Sequence, residues 1–499
     1  MEKKRKFKML FYAVMAAFAV MIVFTHCKDD PELVITPHNP VQPIVIDRFS
    51  PDSGRVATQM LIYGKNFGGD KEKIRVEING KKAAVINVTP QGTIIYCLVP
   101  SLLEKYEERE DGDEMTASVK VIVGENESNV PDKQLHYTFT QNVATYCGYT
   151  DEDGRTSIVD GPFKDEEGNP VAQFQSPFWL AFDTDINGPT DENGKHKKNI
   201  YLIEENNGMR FIDRDNKVVK TIFRTTGGGN GLHRPRTIAF TLDHDTMIIA
   251  NDGNEWDWNG TSIIVRDKST RLFSNGTAQP WKSVMHHKQC NGGAIHPISG
   301  DYWFNSYDKS QVYKVFRRDG EIWRYGGPTE SDLNEDGKTG DKYFFRVQDD
   351  RWEFNIQIAP SGDFAYIVSK NTHYIARMGY NYAKRAFEQP MGFVGTRQRS
   401  GFKDGVGYGN TLFHEPQQGA FDKNDNFYVC DGENHCIRKI TPEGQVSTFA
   451  GRPERPGYSN GALRDAQFDS PFGIIYDDEI QTFYIADRDN GRIRTIKIE

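Results

Sequence analysis

The C-terminal part of the chain carries one pattern twice. From Phe413 it reads FHEPQQGAFDKNDNFYVCDGENHCIRKITPEGQVSTFAG, and from Phe468 FDSPFGIIYDDEIQTFYIADRDNGRIRTIKI. Each copy has a Phe, a Pro three residues on, a small or apolar pair, an aromatic followed by Asp, an aromatic-rich strand, an acidic turn and then Ile-Arg. One such unit cannot bury its own apolar faces, so copies must stack on one another, and their number and length decide the architecture. Further copies of the first strand align upstream: SPFWLAFD from Ser176, RPRTIAFT from Arg234, CNGGAIHP from Cys290 and EFNIQIAP from Glu353. They join EPQQGAFD from Glu415 and SPFGIIYD from Ser470. The Pro or its equivalent falls at 177, 235, 291, 354, 416 and 471. Each copy leads to a second, aromatic-rich strand such as NIYLIEENN or NFYVCDGEN, and then to a third such as CIRKI or RIRTI.

Units of about 55 to 63 residues with about four strands have the size of propeller blades with their loops. The last two units resemble NHL repeats closely and the first four loosely. QVSTFAG (445–451) ends the fifth unit, whereas the sixth stops at Ile498 with three strands. NVATYCG (142–148) matches QVSTFAG but precedes the first unit with no unit of its own. The same continuation follows both, Gly161…Phe174-Gln-Ser-Pro177 and Gly461…Phe468-Asp-Ser-Pro471. The expectation is an all-β, six-bladed NHL-like propeller over 142–499. Its N-terminal strand completes the C-terminal blade and removes the free sheet edges.

Residues 44–140 read differently. IVIDRFSPDSG, QMLIYGKNFGG, IRVEINGKKAAVINV, TIIYCLVPS and ASVKVIVG alternate apolar and polar residues between turns, and Asn79-Gly80 marks a two-residue hairpin. About seven short strands imply an immunoglobulin-like sandwich. Phe49-Ser50-Pro51-x-x-Gly54, Ile62-x-Gly64-x-Asn66-Phe67-Gly68 and Val99-Pro100 resemble the IPT/TIG family, whose modules serve as spacers or interaction domains. Pro-rich residues 28–43 read as an extended tether.

The N-terminus reads as a targeting segment. Lys3, Lys4, Arg5, Lys6 and Lys8 precede an apolar run from Leu10 to Phe24, shorter than the roughly 20 residues a spanning helix needs. The run ends at Cys27, which resembles a bacterial lipoprotein signal with an acylated Cys; His26 departs from the usual small residue. Lys28-Asp29-Asp30 is similar to the export signal of Bacteroidetes surface lipoproteins. This resemblance implies a lipid-anchored outer-membrane protein facing outward, with a segment plan of 1–27 signal peptide, 28–43 tether, 44–140 sandwich and 142–499 propeller.

The net charge of −9 is mixed along the chain and offers no basic stripe for nucleic acid. Asp332-x-Asn334-x-Asp336-Gly337, with Asp341 beyond, has the spacing of half a calcium loop. Asp183-x-Asp185-x-Asn187-Gly188 has the same form. Calcium is the one cofactor the sequence suggests. Cys430 and Cys436 flank the acidic turn of the fifth unit, as partners for a disulfide or as buried thiols. The positions just after each Pro equivalent, which should ring one end of the channel, are Phe178, Arg236, Gly292, Asn355, Gln417 and Phe472. They include no His or carboxylate, so resemblance to propeller lyases remains an analogy of fold. His233, His296, His414 and His435 read as structural.

Aromatic faces stack on the apolar C–H surfaces of sugar rings, while polar groups bond the hydroxyls. The candidate ligand-binding residues are therefore Trp179, Arg236, Asp252, Trp256, Trp258, Asn355, Gln417 and Phe472. The leading expectation is a non-catalytic surface lipoprotein that binds a glycan, as part of a polysaccharide-uptake system and beside an outer-membrane transporter. A metal-dependent propeller lyase or hydrolase is the first alternative, and a protein–protein scaffold the second.

Overall fold

The computed structural model describes residues 35–103, 112–128, 133–190, 194–225, 232–252, 260–273, 282–285, 290–306, 310–318, 322–326, 333–334, 344–347 and 353–498. Among them there is no α-helix. The signal segment with Cys27, Trp256, Trp258, Asp332, Asp336 and Asp341 lie outside the described residues. Asn334 is described only as a strand residue opposite Tyr325. The chain divides into two compact units, one of residues up to Leu102 with Gly112–Phe139, the other of Leu103–Asp111 with Thr140–Glu499.

The first unit is a two-sheet sandwich. Its larger sheet runs Val45–Ser50, Gln59–Lys65, Ile94–Leu98, Lys81–Val88, Ile74–Ile78, Val119–Val123 and Asn126–Glu127; Leu135–Thr138 lies between Ser53–Gly54 and Glu114–Ala117 in the smaller one. Every second residue is buried where the sequence alternates, as in Met60 and Ile62 or Val119, Val121 and Val123, because successive side chains of a strand point to opposite faces. Asn79 and Gly80 both take positive φ, 48° and 78°, the backbone that matches a two-residue turn to strand twist. A side chain at Gly64 would collide with the carbonyl of Val45 on the neighbouring strand. One expectation needs correction. Residues 36–43 are not free tether: Thr36 N–H donates to Pro90 O (2.8 Å), and the Asn66 amide donates to Asn39 O and Gln42 O (2.9 and 2.8 Å).

The second unit contains six antiparallel sheets among its described residues. Their innermost strands are Pro177–Thr184, Pro235–Phe240, Gly293–Ile295, Phe354–Ile358, Pro416–Phe421 and Pro471–Asp477. Each neighbours the next, and the sixth neighbours the first. Gln141–Cys147 belongs to the sixth sheet, antiparallel to Arg492–Ile498, with Gln141 opposite Ile498 and Ala144 opposite Thr495. Val143 packs there against Ile496 in a fully buried cluster.

A buried arginine recurs in the first, fifth and sixth sheets. Arg210, Arg438 and Arg494 sit on the third strands, no more than 1% exposed. Each joins an acid at the end of the second strand to the loop before the inner strand. Arg438 donates to Asp431 (2.7 Å), Asp404 (2.6 Å) and the carbonyls of Leu412 and Lys403 (both 3.1 Å). Arg494 does the same with Asp487, Asn460, Gln467 O and Ser459 O, and Arg210 with Glu204, Asp160, Gln173 O and Val159 O. The planar guanidinium suits this role because its donors are fixed in a fork. The first sheet is thus built like the last two, although its sequence resembles them only loosely.

Cys430 and Cys436 are free and buried. Cys430 pairs with Ile437 and Cys436 with Asp431, so their side chains lie on opposite faces of the sheet and cannot bridge. The Asp183 loop is not a cation site either. Asp183 accepts from Arg266 Nη1 (3.1 Å) and Asp185 from Arg271 Nε (2.9 Å). His296, fully buried, donates from Nε2 to Gly362 O (3.0 Å) and is structural as expected.

Candidate functional site

The inner strands begin irregularly. In the first, second, fifth and sixth sheets the register shifts immediately after the leading Pro: between Pro177 and Trp179, Pro235 and Thr237, Pro416 and Gly419, and Pro471 and Gly473. The residue set free by each bulge is Phe178, Arg236, Gln417 (with Gln418) or Phe472. A bulge leaves one residue outside the ladder and re-aims its side chain. That is how four residues of one repeat position come to face a common space.

A second repeat position supplies the charges. A residue at or next to the end of the second strand caps the chain ahead of the inner strand. Glu204 Oε2 accepts from Ser176 N–H (2.9 Å), Asn251 Oδ1 from Arg234 N–H (3.0 Å), Asn305 Oδ1 from Gly292 N–H (2.8 Å) and Asp431 Oδ1 from His414 N–H (2.8 Å). Asp487 does so for Asp469 N–H (2.8 Å). The residue after the second strand is Glu205, Asp252, Lys370, Gly432 or Arg488 in the first, second, fourth, fifth and sixth sheets. The backbone N–H groups of Glu205, Asp252 and Lys370 tie back to the carbonyls of Ser176, Arg234 and Glu353 (2.9, 2.9 and 3.1 Å).

These two positions meet in one pocket at the end of the second unit where the inner strands begin. Phe178 and Phe472 line it, stacked with centroids 3.6 Å apart at 28°. Arg236 lies 5.5 Å from the Phe178 centroid; Lys370 and Arg488 lie 6.0 and 5.9 Å from that of Phe472. Cations near aromatic faces are attracted by the ring quadrupole. Each cation also has carboxylate partners. Arg236 donates to Asp252 (2.8 Å) and Glu205 (3.3 Å), Lys370 stands 3.6 Å from both Glu353 and Glu415, and Arg488 3.8 Å from Glu205. Burial pushes the Asp252 carboxyl up from its usual range, against the pull of Arg236. Asn291, Phe354, Asn355 and Gln417 also line it, with Trp179 beside Phe178; the cavity volume is about 30 Å³. By the usual measure that holds about two water molecules.

Six of the sequence candidates, Trp179, Arg236, Asp252, Asn355, Gln417 and Phe472, therefore share this site; Asp252 enters it as the partner of Arg236. The third sheet departs from expectation. Asn291 lines the pocket where Gly292 was expected, because a side chain at Gly292 would strike Asn355 Cβ at 2.8 Å. Glu205, Asn291, Glu353, Lys370, Glu415 and Arg488 were missed. The aligned repeats carried the signal for three of them: the residue after each second strand is charged in EEN, NDG, SKN and DRD. Among the described residues no group of three His, Cys, Asp or Glu side chains is placed to hold a metal ion.

Residues 43–139 match the IPT/TIG domain family. Over its length the chain is similar to the crystal structure of an auxiliary nutrient binding protein from Bacteroides thetaiotaomicron. Identity is 33% with a TM-score of 0.63, over 93% of this chain and 99% of that one. The chain belongs to the same family as that protein. A Bacteroides ovatus structure with the same description is 28% identical, with a TM-score of 0.67 over 93% and 100% of the two chains. Within this family the descriptions vary: a B. thetaiotaomicron structure called a putative phosphatase is 30% identical, with a TM-score of 0.63 over 93% and 99%. A 98-residue stretch is 30% identical to NHL repeat-containing protein 2 of Homo sapiens, covering 19% of this chain and 13% of that protein. The match therefore spans only a small part of that relative.

Proposed function

We propose that this protein is a lipid-anchored cell-surface protein that captures a nutrient, a glycan, at the mouth of its propeller and does not transform it. The observation that carries the reading is the pocket itself: a stacked Phe178–Phe472 pair ringed by Arg236, Lys370, Asn291, Asn355 and Gln417. Aromatic side chains beside convergent polar groups in a concave site are the default make-up of a ligand site. The nutrient-binding descriptions of two family members support the same reading, as do Cys27 and Lys28-Asp29-Asp30 at the N-terminus. An outer-membrane transporter is the natural recipient of the captured ligand.

The test is a glycan array with affinity electrophoresis of the mature chain, comparing wild type with Arg236→Ala and Phe472→Ala. Retardation by at least one polysaccharide, lost in both variants, is the expected result. Absence of binding to every glycan, or binding unaffected by both substitutions, would remove the proposal. A hydrolase reading draws on the putative phosphatase relative and on the three cations of the mouth. It predicts turnover of p-nitrophenyl phosphate that Arg236→Ala abolishes, and such turnover would displace the binding reading.

A further inference from the structure

Residues 36–43 precede the first strand, and the IPT/TIG match begins only at the last of them. They are nevertheless built into the first unit. Thr36 N–H donates to Pro90 O (2.8 Å) and Thr36 O accepts from Gly69 N–H (2.9 Å), so one residue is laced between two loops. His38 is held from both sides. Its Nδ1 donates to Asn66 O (2.7 Å), and its Nε2 accepts from Asn126 Nδ2 (3.0 Å), which also donates to Pro40 O (2.9 Å). Asn66 Oδ1 accepts from Asn39 N–H (2.8 Å), while the Asn66 amide nitrogen donates to Asn39 O and Gln42 O. The receiving loop leaves room for this strap: a side chain at Gly68 would stand 2.9 Å from His38 N. Pro37, Pro40 and Pro43 have φ fixed in advance, so the strap loses less freedom on docking.

We infer that residues 36–43 are the locked base of the membrane anchor, a strap that fixes how far the sandwich stands from the lipid. This rests on the lipid-anchored reading above and adds the reach of the anchor and the residues that set it. From Cys27 to Thr36 the chain spans at most about 30 Å at full extension, whereas a chain free as far as Ile44 would reach about 60 Å. The loops that hold Thr36, at Gly69 and Pro90, are therefore kept within about 30 Å of the acylated residue. A shorter tether raises the effective concentration of a protein at a partner it can reach. The lock thus favours delivery of the captured ligand to a partner in the same membrane.

The experiment places the acylated full chain in vesicles of phosphatidylethanolamine and phosphatidylglycerol that carry an acceptor dye on the headgroups. Lys73→Cys, at an exposed position, takes a fluorescent donor, since the described cysteines are all buried. Amide exchange at Asn39 and Gly69 reads the lock directly, because these N–H groups donate to Asn66 Oδ1 and Thr36 O. In wild type both amides should exchange at least about tenfold more slowly than free ones, and the donor should be quenched by the bilayer dye. Thr36→Pro combined with His38→Ala removes two holds without changing a strand residue. It should lose the protection and recover donor emission, while the amides of Gln59–Lys65 stay protected. Doubling residues 28–35 lengthens the free chain, so it should recover emission with the protection intact. Unprotected Asn39 and Gly69 in wild type would overturn the inference, as would equal quenching in wild type and both variants. In either case a chain that still enters the vesicles leaves the anchor reading standing. A chain that never enters them removes both.

Discussion

Gln418 and Leu180, 238 positions apart, are joined by two hydrogen bonds: Gln418 Nε2 donates to Leu180 O (2.8 Å), and Leu180 N–H donates to Gln418 Oε1 (3.1 Å). The same oxygen accepts from Ile474 N–H (3.2 Å). A side-chain amide of the fifth sheet thus acts like the peptide of an extra strand, reaching past the sixth sheet to the first. Gly473 makes the reach possible, since a side chain there would stand 2.6 Å from Phe178 O and 3.1 Å from Gln418 Oε1.

Gln418→Ala should therefore lower stability by at least about 1–3 kcal/mol, because it leaves backbone groups of Leu180 and Ile474 buried and unpaired. Gly473→Ala should be destabilising too, through collision and not through lost bonding. Urea unfolding of both variants checks this; wild-type midpoints would show that the bridge is dispensable.

The buried arginines predict a non-additive pair. Arg494→Met strands the Asp487 carboxylate, which is fully buried and keeps only Asn490 and one backbone N–H as partners. Removing one member of a buried pair costs about 3–5 kcal/mol, mostly as the penalty of the charge left behind. Adding Asp487→Asn to Arg494→Met should recover part of that loss. A double-mutant cycle measures it, and strictly additive losses would count against the pairing as described.

The strand Gln141–Cys147 gives a test of how the sixth sheet is completed. Val143→Asp places a charge at a position 1% exposed against Ile496 and should cost about 3 kcal/mol or more. Thr145→Asp, at a partly exposed position two residues along the same strand, should cost much less. Equal unfolding midpoints for the two variants would mean that this strand adds no stability to the C-terminal sheet.

His296 predicts a pH dependence. Its Nδ1 accepts from Ser299 N–H (3.0 Å) while its Nε2 donates to Gly362 O (3.0 Å), so the fold holds the neutral ring. Burial lowers its pKa from 6.5, with Asp301 and Asp363 pulling the other way and Lys314 adding to the fall. The unfolded chain takes up this proton first as pH falls. The stabilisation is therefore complete above pH 6.5 and is lost below it, toward the folded-state pKa. Thermal unfolding at pH 7.5 and 5.5 should show a larger drop for wild type than for His296→Gln; parallel drops would exclude His296 as the source.

Much of this was legible before any coordinates. The repeat placed all six inner strands, because a Pro, an apolar run and an acidic turn at constant offsets leave few ways to pack. Alternation and Asn79-Gly80 marked the sandwich for the same local reason. The aligned position after each Pro led to Phe178, Arg236, Asn355, Gln417 and Phe472, since a propeller brings equivalent positions of its repeats to one end. The sequence alone thus determined strands, turns and which positions repeat, all properties of short stretches. Tertiary structure decided what those stretches could not contain. Offsets of a single residue between paired strands set Cys430 and Cys436 on opposite faces, though their spacing would allow a bridge. Contacts between distant sheets gave the carboxylates of Asp183 and Asp185 to Arg266 and Arg271 instead of to a cation. Close packing of Gly292 against Asn355 left the third sheet's place in the pocket lining to Asn291. Each depends on distances between residues far apart in the chain, and such distances exist only once the sheets have packed.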